Sequence, residues 1–184
     1  MVRGAPKPKP TFPVHAAQRN VAKRLRDALE AESASILHAD PGTGKTRVVR
    51  DALDQLDEPG GLTVYVTVSA AQARMQGTEI DSHFAAPFQF KYTHSLAQAL
   101  QKGAVRITMT QHMFRTLIAG PKTLDTDFLR PLLGEDGKRR VRFVLDEVHQ
   151  LYKCPKVARS VEQARQQASH PLQLAGLTAT LEFD

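Results

Sequence analysis

Apolar positions along this chain change their period repeatedly. From Ala16 to Glu32, Ala17, Val21, Leu25, Ala28 and Leu29 recur at helical spacing, while Arg19, Lys23, Arg26 and Glu30 fall on the other side; this predicts an amphipathic helix. Ser35 to His38 reads as a short strand, cut off by the Pro and Gly of ADPGTGKT, after which Val48, Val49, Ala52, Leu53 and Leu56 restore the helical period. A break at Pro59, Gly60 and Gly61 leads into LTVYVTV, a nearly continuous apolar and β-branched run. Strands buried on both faces, as in parallel sheets, have that composition. Further strands are expected at Gln89 to Tyr92, Val105 to Met109, Val141 to Leu145 and Leu172 to Leu177, with helical patterns at 93–101, 110–119 and 157–168. Strands alternating with helices imply right-handed crossovers and an α/β fold, a mostly parallel central sheet with helices on both faces. Residues 120–140, rich in Gly and Pro, read as a loop with one short helix, and no internal repeat is present.

Composition narrows the class. At 184 residues the chain suits one domain with a sizeable core. Residues 1–11 alternate Pro, Lys and Gly and are expected to form a flexible basic tail, with the domain occupying 12–184. The formal charge of +6 is concentrated: Arg3, Lys7, Lys9, Arg19, Lys23, Arg24 and Arg26 all precede the first acid, Asp27, and the remainder is close to neutral. The excess therefore belongs to an arm and the first helix, not to a whole basic face. No apolar run approaches the roughly 20 residues of a membrane helix. The N-terminus has no apolar h-region, so an intracellular protein with no membrane partner is expected. Cys154 is the single cysteine, which excludes an intrachain disulfide and a cysteine-rich zinc site. None of the seven histidines pairs at zinc-site spacing, so no histidine-built metal site is expected.

Two stretches carry chemistry. Ala39, Asp40, Pro41, Gly42, Thr43, Gly44, Lys45 and Thr46 follow the phosphate-loop pattern, with Ala39 where the first Gly usually stands. Between a strand and a helix, such a loop turns backbone N–H groups toward phosphate oxygens, helped by the helix N-terminus. Lys45 is expected to reach the β and γ phosphates of ATP, and the Thr46 hydroxyl to ligate Mg²⁺. The second stretch is VRFVLDEVH, where an apolar strand ends in Asp146 and Glu147. Ligands in open parallel sheets gather at strand carboxyl ends. Asp146 would then hold Mg²⁺, and Glu147 would orient and deprotonate the attacking water. The bland alternative for two acids at a strand end is pairing with nearby Arg or Lys.

Taken together, ADPGTGKT resembles motif I of superfamily 2 helicases, DEVH matches the DExH form of their motif II, and LAGLTATL at 174–181 resembles motif III, in the same order. The resemblance spans about residues 16–181 and implies the first of two RecA-like domains, a P-loop NTPase domain; the second domain is not in this sequence. It implies that Gln18 reads the adenine edge, although His15 stands where members often carry Arg. It implies nucleic-acid contact at Ser69, in a motif Ia in which Val68 replaces the usual Pro, and at Thr110. Plain helix capping is the competing reading of both. It further implies that His149, Thr178 and Thr180 couple nucleotide state to nucleic-acid grip. The family's second domain supplies arginines worth about 10³ to 10⁵ in turnover, so this chain, expected to be a piece of a longer helicase and monomeric by itself, should bind ATP yet hydrolyse it slowly. The nucleic acid is DNA or RNA, because contacts to its backbone do not distinguish the two. Two other readings stand beside this one: a DNA translocase that does not separate strands, and a non-catalytic nucleotide-binding module.

Overall fold

The computed structural model describes residues 16–31, 34–56, 61–80, 84–86, 102–118, 139–152, 155–168 and 170–179. In chain order these form α1 (Ala16–Glu30), β1 (Ser35–His38), α2 (Lys45–Leu56), β2 (Leu62–Thr67), α3 (Ala70–Glu79), β3 (Phe84–Ala86), β4 (Arg106–Thr110), α4 (Gln111–Ile118), β5 (Val141–Leu145), α5 (Val148–Tyr152), α6 (Pro155–Gln167) and β6 (Gln173–Thr178). The six strands make one sheet in the order β1-β6-β5-β2-β4-β3. Every pairing is parallel, as in Leu62↔Val141 and Ser35↔Ala175. The α/β architecture read from the sequence is therefore present, and the described sheet is all parallel.

Chain direction explains the two layers. The chain moves outward from β1 to β3 and then returns through β4, β5 and β6. Right-handed crossovers put outgoing and returning helices on opposite faces. Accordingly, one core holds Leu25 and Leu29 of α1 and Val49 and Leu53 of α2 against Tyr65, Val144, Ala175 and Leu177. The other holds Met113 and Phe114 of α4 and, from α6, Val161 against Val64, Ile107, Met109 and Phe143. Alternate residues of β2 feed the two cores, which is why its whole length is buried and its sequence is continuously apolar or β-branched. Phe114 and Phe143 meet edge to face at 5.2 Å. Replacing Phe114 by alanine is expected to cost about 3–5 kcal/mol, read from the denaturant midpoint.

Boundaries agree closely for the helices over 16–30 and 111–118 and the strands over 35–38 and 141–145. Three elements depart from expectation, the first being the short α5 at 148–152, where the sequence reading had no helix. β3 lies at 84–86 and pairs with β4, where the sequence reading had no strand. α3 was likewise unanticipated, because only Ala73, Gln76 and Gly77 of it are buried and no apolar stripe marks it. Its start is nevertheless encoded, since Ser69 and Gln72 form a reciprocal capping box. The expected strand at 89–92, the helix at 93–101, the loop within 119–138, the tail at 1–11 and Thr180 lie outside the described residues. No helix among the described residues is long and apolar enough to cross a membrane.

Candidate active site

Strand β1 delivers the chain to residues 39–44, and α2 begins at Lys45. The Ala39 N–H donates to the Thr178 carbonyl at 3.1 Å, which ties the start of the loop to the end of β6. Gly42 and Gly44 have φ of +77° and +84°, the left-handed region that glycine enters without steric cost. At Gly44 space matters as well: a Cβ there would lie 2.8 Å from the Gln18 Nε2. The Thr43 hydroxyl donates to the Asp40 carbonyl at 2.7 Å, closing the turn through Pro41. The Lys45 ammonium donates to the carbonyls of Ala39 (2.6 Å) and Asp40 (3.1 Å), so its charge is held against the loop. The Gln18 amide donates to the Thr43 carbonyl at 2.9 Å, which brings α1 onto the same loop. The first bond of the α2 ladder runs from the Val48 N–H to the Gly44 carbonyl at 3.0 Å, so the N–H groups of residues 44–47 precede it, at the loop.

The acids arrive from β5. Asp146 N–H donates to the Val66 carbonyl at 2.8 Å, carrying the sheet ladder one residue past the strand. Its side chain is buried and accepts a hydrogen bond from the Gln76 Nε2 at 2.8 Å. Burial pushes the Asp146 carboxyl above its ordinary pKa, and the neighbouring Glu147 adds to this. The Gln76 hydrogen bond and the charge of Lys45 pull it back. The charge of Lys45, about a hundred positions earlier in sequence, thus reaches the Asp146 carboxyl across the intervening β6.

Glu147 adopts φ +51°, a conformation adopted by no other described non-glycine residue. This backbone state costs an L-residue about 1–2 kcal/mol and turns the side chain away from the strand's alternation. His149 Nδ1 lies 2.8 Å from the Thr178 Oγ1 and 3.4 Å from the Glu147 Oε2. The imidazole therefore bridges the end of β5 to the end of β6. Gly176 makes room for this, since a Cβ would press to 3.1 Å against Val148 of α5.

The donor set fits a hard divalent cation. The Thr46 hydroxyl and Asp146 carboxylate offer oxygen atoms that could serve a metal, and no group of three or more His, Cys, Asp or Glu among the described residues could hold one unaided. Mg²⁺ suits such a site because it takes one or two protein ligands and leaves the rest to phosphates and water.

The structure thus gathers Gln18, residues 39–46, Asp146, Glu147, His149 and Thr178 at one carboxyl edge of the sheet. Ser69 and Thr110 occupy the same edge farther along, beyond β5. Each caps a helix: Ser69 Oγ accepts from Gln72 N–H, and Thr110 Oγ1 from Met113 N–H at 3.2 Å. Gln76 escaped the sequence reading because its contact with Asp146 spans 70 positions. The only local cue was a polar residue on the apolar side of a weakly patterned helix.

A sequence profile for the res subunit of type III restriction enzymes spans residues 11–183. The chain belongs to this family. Members of this res-subunit family carry the superfamily 2 helicase type of ATPase domain, in agreement with motifs I, II and III. Among solved structures, the fold resembles the Mycobacterium smegmatis helicase Lhr bound to ssDNA and AMP-PNP (TM-score 0.60, 20% identity, 88% of this chain and 22% of that one). It also resembles the Sulfolobus solfataricus SWI2/SNF2 ATPase core with dsDNA (0.60, 15%, 92% and 32%). A third is the Pyrococcus furiosus Hef helicase domain (0.62, 18%, 89% and 32%). At these identities the likeness is one of fold. The chain spans about a fifth to a third of these solved chains. No curated protein matches its sequence.

Proposed function

We propose that this chain is the first RecA-like domain of a superfamily 2 motor, binding ATP and Mg²⁺ and coupling hydrolysis to unwinding of, or movement along, nucleic acid. The observation that carries the reading is the convergence of Lys45 and Asp146 at one sheet edge, with Lys45 close enough to bias the ionisation of the acid. In this reading the N–H groups of residues 42–46 bind the phosphates, and Lys45 leaves the Ala39 and Asp40 carbonyls to reach the β and γ phosphates. Thr46 and Asp146 would hold Mg²⁺, which would supply positive charge against the phosphates. Glu147 orients the attacking water and takes its proton. Gln18 trades the Thr43 carbonyl for the adenine edge. His149 passes the state of Glu147 to Thr178 and on to Thr180, and Ser69 and Thr110 offer hydroxyls to a nucleic-acid backbone. A second RecA-like domain, in cis or in trans, would add the arginines that complete the site, so slow hydrolysis by the isolated chain is expected. Calorimetric titration with Mg-ATP tests the reading: uptake with Mg²⁺ supports it, and none refutes it.

The match to a restriction res subunit, with a SWI2/SNF2 core among similar folds, favours a translocase that does not separate strands as the second reading. A triplex-displacement assay beside a strand-displacement assay on the full-length protein decides between the two.

Asp146 gives the site a pH signature. Its folded pKa is raised, so without metal the stability held below the ordinary carboxyl value is lost as pH rises toward the raised one. Mg²⁺ requires the carboxylate, so Mg²⁺-dependent ATP binding is expected to fail on acidification before ordinary carboxylates titrate. Removing the Gln76 donor raises the pKa further. Gln76→Leu should therefore move that failure to higher pH, and an unchanged pH midpoint in the calorimetric titration would count against the assignment.

A further inference from the structure

Resting on the readings of Asp146 as a Mg²⁺ ligand and of Ser69 as a backbone contact, we infer that Gln76 is a positioning residue that joins the two, so that a nucleic acid seated at Ser69 tightens Mg-ATP binding through α3. Residues 66–76 close around Asp146 from two sides. The Val66 carbonyl, near the end of β2, accepts from the Asp146 N–H at 2.8 Å. Gln76, in the second turn of α3, donates from Nε2 to the Asp146 Oδ2, also at 2.8 Å. Between these contacts lies Ser69, whose carbonyl accepts from the Thr67 hydroxyl at 3.1 Å and whose N–H donates to the Gln72 Oε1 at 3.1 Å. Its side chain caps α3 and is exposed. Ser69 and Gln76 stand two helical turns apart, roughly 10.5 Å along the axis and on nearly the same side.

Packing does not explain a glutamine here. On the buried side of α3 its companions are Ala73 and Gly77, and a leucine would add apolar area between them. The amide is instead buried with its Oε1 unpaired, a cost that leucine would avoid. Small companions also give α3 little apolar grip on the sheet, so polar bonds set its seat. Gln76 supplies one of these in mid-helix. At the far end, Arg50 donates to the Glu79 carbonyl at 3.2 Å and Arg106 to the Ile80 carbonyl at 2.8 Å. Arg50 belongs to α2, the helix that begins at Lys45. The helix is thus clamped to the phosphate-loop helix at one end and to Asp146 in the middle, while its Ser69 end is open. A phosphate taken up at Ser69 fixes that open end, and the fixed helix holds the Gln76 amide on one carboxylate oxygen, leaving the other for the metal. This route is separate from the His149–Thr178 contact, which lies between the ends of β5 and β6.

The test is calorimetric titration of the whole chain with Mg-ATP, with and without saturating oligo(dT), in wild type and in Gln76→Met, which keeps the length of the side chain and loses the donor. Coupling between two sites typically amounts to about 5- to 150-fold. Wild type is expected to bind Mg-ATP tighter by a factor in that range when oligo(dT) is present, and oligo(dT) tighter by the same factor when Mg-ATP is present, as linkage requires. In Gln76→Met both ligands still bind and the ratio falls to about 1. A glutamine that serves structure or Asp146 alone would weaken Mg-ATP binding equally with and without oligo(dT); a ratio left intact in this way overturns the inference. So does a wild-type ratio of about 1 with both ligands bound. For a variant that does not fold, amide exchange in wild type decides: Mg-ATP should slow exchange over 73–80 by a larger factor than over α6 in the opposite layer, and equal slowing overturns the inference. Wild type that takes up no oligo(dT) removes the reading of Ser69, and one that takes up no Mg-ATP removes that of Asp146; either loss takes the link with it.

Discussion

Lys45→Ala should weaken Mg-ATP binding by roughly 10² to 10⁴-fold while leaving the fold intact, taking about 1.5–3 kcal/mol for each of two charge-assisted hydrogen bonds to phosphate. The estimate follows from what Lys45 does when no phosphate is present. Its ammonium is satisfied by the Ala39 and Asp40 carbonyls, so those bonds must be exchanged for phosphate contacts as ATP enters. Alanine supplies neither set. The loop remains anchored by Ala39 to Thr178 and by Thr43 to Asp40, so the melting temperature should change little. Calorimetry beside a thermal melt checks both halves. Wild-type affinity in Lys45→Ala would mean that the loop does not hold the triphosphate.

Glu147 carries the second large effect. On the proposed function, Glu147→Gln is expected to lower ATP turnover by about 10² to 10⁴-fold, the usual contribution of a general base, with ATP affinity preserved. Backbone geometry adds a second readout. Glycine adopts φ near +51° freely, so Glu147→Gly should lose the same activity while matching wild-type stability or exceeding it by up to about 1 kcal/mol. Stability gained as activity is lost is the mark of a conformation retained for chemistry. Radiolabelled phosphate release and denaturant unfolding measure the two quantities. If Glu147→Gln releases phosphate at the wild-type rate, another group activates the water.

What could be read without coordinates follows from range. The loop at 39–46 was legible because its turn, its glycines and its lysine make contacts within six positions. β5 was legible because burial on both sides leaves an unbroken apolar run that stops at Asp146. α3 was not, since its burial falls on Ala73, Gln76 and Gly77 and offers no periodic apolar stripe. β3 is only three residues long and is defined by pairing with β4 rather than by its own composition. Gln76 meets Asp146 from 70 positions away, and a single chain of letters does not state which distant residues meet. The left-handed backbone of Glu147 was equally hidden, since glutamate is not a residue chosen for that conformation.

β6 lies between the strand that leads into the loop and the strand that ends in the acids. Neighbouring strands sit about 4.7–4.9 Å apart, so β1 and β5 stand roughly 9.5 Å apart. Adjacent strands would press lysine and carboxylates into direct ion pairs; a spacer one strand wide leaves a slot of the breadth a phosphoryl group and its attacking water need. Thr178, at the end of that spacer, lies within hydrogen-bond distance of His149. In the proposed reading, a group lodged between the loop and the acids would bear on Thr178 and so on His149, making β6 a caliper whose opening is one strand wide.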